Sequence, residues 1–172
     1  MTMMRFGLCA LCGVLTLACA ATEQTVVGRG FNHTVKNEGK EVEPGHWTGT
    51  WANAGIGVNK AGQNDEAPYI VSEEGTFDGK WTSQKEMATC TGTSMRLCTY
   101  RDGSTTKQDI KMTCKPGPDG QLVFSGNGVF VDGTGRFAGI KGTLEFTSWT
   151  LTQQPDQMNY YSYTVKTTLP KK

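Results

Sequence analysis

The sequence predicts an all-β protein, a single eight-stranded antiparallel barrel, with a β-sandwich as the runner-up. Three observations lead there. Residues 21–172 hold 22 Thr and 10 Val against 5 Leu and 7 Ala, a balance that favours pleated sheet over helical bundle. Apolar residues recur with period two in run after run, and no segment of ten or more residues carries a helical period. Turn signals separate these runs at short, regular intervals. Eight strands joined by short turns are most economically closed into a barrel, because closure removes both exposed edges.

The expected strands are 25–35, 46–58, 68–80, 86–101, 105–115, 121–131, 142–153 and 158–169. In the first, Val27, Arg29, Phe31, His33 and Val35 share a face. In the second, Gly49, Gly55 and Gly57 share a face with Trp47 and Trp51, and such glycines mark bends or close backbone approach. Leu122, Phe124, Gly126, Gly128 and Phe130 line one face of the sixth. In the seventh, Leu144 and Phe146 lie opposite Thr143, Glu145, Thr147 and Trp149. Tyr161, Tyr163, Val165 and Leu169 share a face of the last. The connections carry turn chemistry: Arg101-Asp102-Gly103-Ser104, Pro116-Gly117-Pro118-Asp119-Gly120, Asp132-Gly133-Thr134-Gly135 and Gln154-Pro155-Asp156-Gln157. Asn37 to Pro44, rich in Glu and Lys, reads as a solvated loop, and so does Asn59 to Ala67.

Two segments organise the chain: residues 1–20 as a removable signal peptide and 21–172 as the barrel domain. Arg5 begins the leader, Phe6 to Leu17 form its apolar stretch, and Ala18-Cys19-Ala20 offers a small-x-small cleavage site. The apolar run is shorter than the roughly 20 residues a membrane span needs. Leu17-Ala18-Cys19 also suggests lipid anchoring, but Thr16 stands where such signals usually carry Leu, so a secreted or periplasmic protein is the expectation. Of 17 basic and 16 acidic residues, Arg5 alone lies in the leader, leaving residues 21–172 formally neutral. A neutral chain without a basic stripe argues against nucleic acid as a partner.

Cys90, Cys98 and Cys114 remain after the leader. In an oxidising compartment three thiols suggest one disulfide and one leftover cysteine. A three-residue loop at Arg101-Asp102-Gly103 sets Cys90 directly across from Cys114, whereas a two-residue loop misses by one position. A turn near Gly92-Thr93-Ser94 would instead join Cys90 to Cys98, so the pairing stays open.

Gly133-Thr134-Gly135-Arg136-Phe137-Ala138-Gly139-Ile140-Lys141-Gly142 is the most distinctive stretch. Gly133, Gly135 and Ala138 nominally satisfy a dinucleotide fingerprint, but that fingerprint requires a helix next, and a β pattern resumes at Gly142. The segment reads as a tight turn followed by a short helical turn that plugs one barrel end with Phe137 and Ile140. It resembles the Gly-Thr-Gly-(Arg/Lys)-Phe-x-x-(Ala/Ile)-x-Gly segment of allene oxide cyclase-like and dirigent-like barrels. The likeness covers about 30 residues and implies an eight-stranded antiparallel barrel with an interior cavity, often assembled into trimers. No catalytic residues of those families map onto matching motifs, so their activities are not carried over.

The aromatic complement is large, and Trp47, Trp51, Trp81, Tyr100 and Trp149 are the candidate ligand contacts for a small apolar molecule. The competing reading is that these rings fill the core or an oligomer contact. Glu74 and Glu145 fall within strands, where an inward carboxylate could act as a general acid or base; an outward one would pair with a neighbouring lysine. His33 and His46 have no metal-ligand spacing with Glu43 or Asp132, and no cofactor is called for. Asn32-His33-Thr34 fits a glycosylation acceptor. Function is expected to be the binding of a small apolar ligand or a partner, with an isomerase- or cyclase-type enzyme as the alternative.

Overall fold

The computed structural model describes residues 22–60, 67–83, 86–118, 120–151 and 157–169, with backbone alone for 22, 81–83 and 86–88. The expected leader, residues 1–20, lies outside the described residues. Eight strands follow in order: β1 (Thr22–Glu43), β2 (His46–Asn59), β3 (Tyr69–Ser83), β4 (Glu86–Thr99), β5 (Thr105–Pro116), β6 (Leu122–Gly133), β7 (Lys141–Thr150) and β8 (Met158–Leu169). Each pairs antiparallel with the next, and β8 returns to β1, closing the barrel. One 3-10 turn, Gly135–Phe137, sits between β6 and β7.

Alternation sorts the side chains as period two requires. Val27, Arg29, Phe31, His33 and Val35 face solvent, while Gly28, Gly30 and Asn32 between them are buried. Inside, Tyr69, Val71, Cys98, Ile110, Met112, Leu144, Phe146, Tyr161 and Tyr163 form a continuous core. Asn32 is only 5% exposed, and its side-chain oxygen accepts a 2.9 Å hydrogen bond from Asn159. The Asn32-His33-Thr34 acceptor is therefore turned into the lumen of the folded chain.

Two tyrosines of β8 reach across β1 to β2. The Tyr161 hydroxyl donates to the Ile56 carbonyl at 3.2 Å, and the Tyr163 hydroxyl donates to Asn59 Oδ1 at 2.8 Å. They pass over Gly28 and Gly30, where an added Cβ would collide with the Tyr163 and Tyr161 rings respectively. Bare backbone at these two positions is what lets large phenols lie flat against the wall.

The segment from Asn37 to Glu43 departs from expectation: it is strand, not loop. β1 continues past the point where β8 begins, at His33↔Met158, and pairs with β2 as far as Glu43↔His46 before turning at Pro44 and Gly45. Both faces of this hairpin arm meet solvent, so its charged residues carry no alternation to read. Lys36 and Glu38 pair at 3.1 Å on its exposed surface.

The β4–β5 connection decides the disulfide. Thr99 pairs with Thr105, the Tyr100 N–H donates to the Ser104 carbonyl at 2.9 Å, and Gly103 takes φ of 80°. Arg101-Asp102-Gly103 is thus a three-residue loop, which sets Cys90 opposite Cys114, and the two are joined. Cys98 stays a buried free thiol. The bridge closes a loop 24 positions long, for which unfolded-state restriction predicts roughly 3 kcal/mol of stabilisation. The double variant Cys90→Ser/Cys114→Ser is expected to lose about that much in urea denaturation. Cys98→Ser, which leaves the bridge intact, should lose less.

Candidate functional site

A cavity of about 440 Å³ occupies the barrel end that carries the β4–β5 and β6–β7 connections. Its wall is mostly aromatic and aliphatic, with Tyr69, Tyr100, Tyr161, Tyr163, Phe130 and Phe137 supplying the rings. Volumes of this size accommodate a drug-sized molecule. Tyr100 packs between Tyr69 and Phe137, with ring centroids 5.1 Å and 4.5 Å apart. Ile140, 7% exposed, and Phe137 both border the cavity, so the turn after Gly133 does close over this end.

The rim is tied together by polar contacts between the two connections. Thr105 N–H donates to Thr134 Oγ1 at 3.0 Å, and Arg136 N–H donates to Ser104 Oγ at 3.2 Å. The Arg136 guanidinium lies over the Phe137 and Tyr100 rings at 4.7 Å and 5.1 Å and pairs with Asp102 at 3.4 Å. Asp102 is held below the usual carboxylate range, chiefly by the Ser104 backbone N–H, which donates to its Oδ1 at 3.0 Å. Asx contacts of this kind are common in tight turns.

At the inner end of the cavity lies a buried ion pair. Glu73 and Arg96 are 2% and 5% exposed, and Arg96 donates from Nε and Nη2 to Glu73 Oε2 at 3.1 and 2.9 Å. Ser94 donates its hydroxyl to the other carboxylate oxygen at 2.6 Å. The guanidinium also lies over the Phe146 and Tyr161 rings, at 5.3 Å and 5.5 Å. Burial opposes the Arg96 charge, but the Glu73 carboxylate outweighs it and the guanidinium is held protonated more firmly than usual. A buried pair is expected to be strongly coupled because either charge alone would be uncompensated.

Burial likewise governs the neutral acids of the lumen. It pushes the Cys98 thiol up to about 11, against the lowering effect of Arg96. Tyr163 is raised to about 12, and Tyr69, Tyr100 and Tyr161 are raised too, all mainly by burial. At neutral pH the site presents a thiol and phenols, not thiolate or phenolate. Tyr69 and Tyr163 are hydrogen-bonded through their hydroxyls, extending the link from Tyr163 to Asn59.

The five candidate aromatic residues are dispersed. Tyr100 lines the cavity. Trp51 packs against the core, and Trp47, half-buried beside Gly39, lies further along β2 on the same face. Trp149 is on the outer wall, stacked on Tyr160 at 5.7 Å, and Tyr160 in turn contacts Phe31. The Trp81 side chain lies outside the described residues. Glu74 and Glu145 are exposed, and Glu73 is the inward carboxylate of that pair of neighbours. His46 bonds Asp78 at 2.8 Å, and His33 is exposed.

Sequence reasoning passed over Glu73, Arg96 and Gln108. Their parity was the available signal. Glu73 is in phase with Tyr69 and Val71, Arg96 with Cys98, and Gln108 with Ile110 and Met112.

No protein-family model matches the chain, and no curated protein matches it. Among solved structures the chain is similar to a pterocarpan synthase dirigent protein, at 13% identity over 88% of this chain and 94% of that one, with a TM-score of 0.42. The barrel assignment stands on the closed strand ladder itself.

Two outcomes follow from the buried groups. Arg96→Met alone leaves Glu73 uncompensated and should cost about 3–5 kcal/mol, while the double variant Glu73→Leu/Arg96→Met should recover most of the loss; urea titrations of both variants measure the difference. Cys98 is protonated in the fold up to about pH 11, but in the unfolded chain only to roughly pH 8.5. Its contribution is therefore complete below the lower value and drains away as pH rises through that window, by about 3 kcal/mol. Comparing denaturation midpoints of the native protein and Cys98→Ala between pH 8 and pH 11 should show the flatter profile in the variant.

Proposed function

We propose that this chain is an exported binding barrel that takes a small, largely apolar molecule into its lumen. The observation that carries this reading is the aromatic-lined cavity of about 440 Å³ at one barrel end. The disulfide between Cys90 and Cys114 supports an oxidising compartment, in keeping with the leader. The Gly133–Gly142 segment, with its glycine turn and short plug, supports kinship with allene oxide cyclase-like and dirigent-like barrels.

Binding is favoured over catalysis by what the lumen carboxylate does. Among the described residues Glu73 is the one buried acid, and Arg96 and Ser94 occupy both of its oxygens. A carboxylate held in this way, and not itself among the residues that line the cavity, is poorly placed to act as a general base on a bound molecule.

The test is a fluorescence titration of the exported, disulfide-intact protein with N-phenyl-1-naphthylamine, a neutral probe that brightens in apolar surroundings. One probe per barrel is expected. Val165→Trp, which fills the cavity from β8, should weaken binding at least tenfold, whereas Trp149→Ala on the outer wall should leave it unchanged. Equal binding by the filled variant would place the probe outside the lumen and overturn the reading.

A further inference from the structure

Gln108 introduces a feature that the apolar wall does not explain. It projects inward from β5, between Arg96 of β4 and Phe130 of β6 in the cross-strand register. A bulge in β6 skips Val131, so that Lys107 pairs with Asp132 and Gln108 with Phe130. Phe130 and Gln108 thereby enter the same stretch of cavity wall. Gln108 is only 4% exposed, and among the described residues its Oε1 has no hydrogen-bond partner. A buried acceptor left without a donor is costly and is expected to have a reason.

The charges around it narrow what could supply that donor. Glu73 and Arg96 neutralise one another at the inner end of the cavity, and Arg136 is paired with Asp102 at the rim. A ligand carboxylate or ammonium would enter a low-dielectric space in which, among the described lining residues, each charge already has a partner of opposite sign. A neutral hydroxyl or N–H meets no such obstacle and satisfies Oε1 directly.

Resting on the lumen-binding reading above, we infer that the cavity takes a neutral, largely apolar molecule bearing a hydroxyl or N–H donor, and that Gln108 is the acceptor that selects it. The aromatic wall supplies affinity through burial, and Gln108 supplies discrimination: a ligand without the donor leaves the acceptor orphaned in the bound state.

Two probes of nearly equal shape isolate this effect: 2-naphthol, which carries a hydroxyl donor, and 2-methoxynaphthalene, which has none. Calorimetric titration of the exported protein should show 2-naphthol binding about tenfold more tightly. In Gln108→Leu and Gln108→Met that preference should shrink to within about twofold. The thermal midpoint of both variants should rise, because the unsatisfied acceptor has gone. Equal affinities in the native protein, or a preference that survives both substitutions, would overturn the inference while leaving lumen binding intact. A lowered midpoint in both variants would also overturn it, since Gln108 would then be serving the fold. If N-phenyl-1-naphthylamine itself fails to enter the lumen, the binding reading and this inference fall together.

Discussion

Tyr161 and Tyr163 can lie across β1 only because Gly28 and Gly30 leave bare backbone beneath them, and the rest of the molecule depends on that clearance. The β8–β1 ladder is the seam that turns a meander into a closed barrel. The two hydroxyls reach β2, so three strands are tied at the seam by side chains as well as by backbone. Without closure there is no lumen: Tyr69, Ile110, Leu144 and Phe146 would have no opposite wall to pack against. Substituting either glycine would set a Cβ against a ring and against a carbonyl of β2, which is a constraint on backbone approach, not on conformation.

The enclosed space is not uniform. Toward one end, Asn32, Asn159 and Thr150 are buried and linked by hydrogen bonds. In the Glu73–Arg96–Ser94 cluster at the inner end of the cavity, both carboxylate oxygens are engaged from within the cluster. Beyond it, the wall becomes aromatic and opens into the cavity, where Gln108 interrupts the pattern. A polar network in a small lumen is tolerable when every member is matched, and the contrast between the matched cluster and the unmatched amide is what gives Gln108 its meaning.

Much of this was legible in the residues. Period-two alternation placed seven strands within a few positions of their observed bounds, and put Phe146, Leu144, Tyr161 and Tyr163 on shared faces because burial imposes that period. The glycine-rich turn and its plug were legible because positive φ and the return to alternation leave few alternatives. The cysteine pairing could be reduced to a question of loop length, which local sequence could not answer, since two- and three-residue loops tolerate the same residues. The polar lumen was hidden for a different reason. Inward Glu73, Arg96 and Gln108 look like surface residues until their parity is compared with apolar neighbours, and Glu74 beside Glu73 shows how one position reverses the meaning. The hairpin arm from Asn37 to Glu43 escaped notice because a ladder solvated on both faces needs no apolar stripe.

The placement of the disulfide bears on how such a barrel assembles. It spans 24 positions of chain and encloses the β4–β5 hairpin, including Ser94, Arg96, Cys98, Tyr100 and Gln108. The seam, by contrast, brings together distant residues such as Asn32 and Asn159, 127 positions apart. Closing a short loop costs less chain entropy than closing a long one, and non-local pairings form late where topology limits the rate. Oxidation of the hairpin can therefore set Arg96 beside Gln108 before any lumen exists, so that the discriminating part of the wall is laid down covalently and the rest of the barrel folds around it.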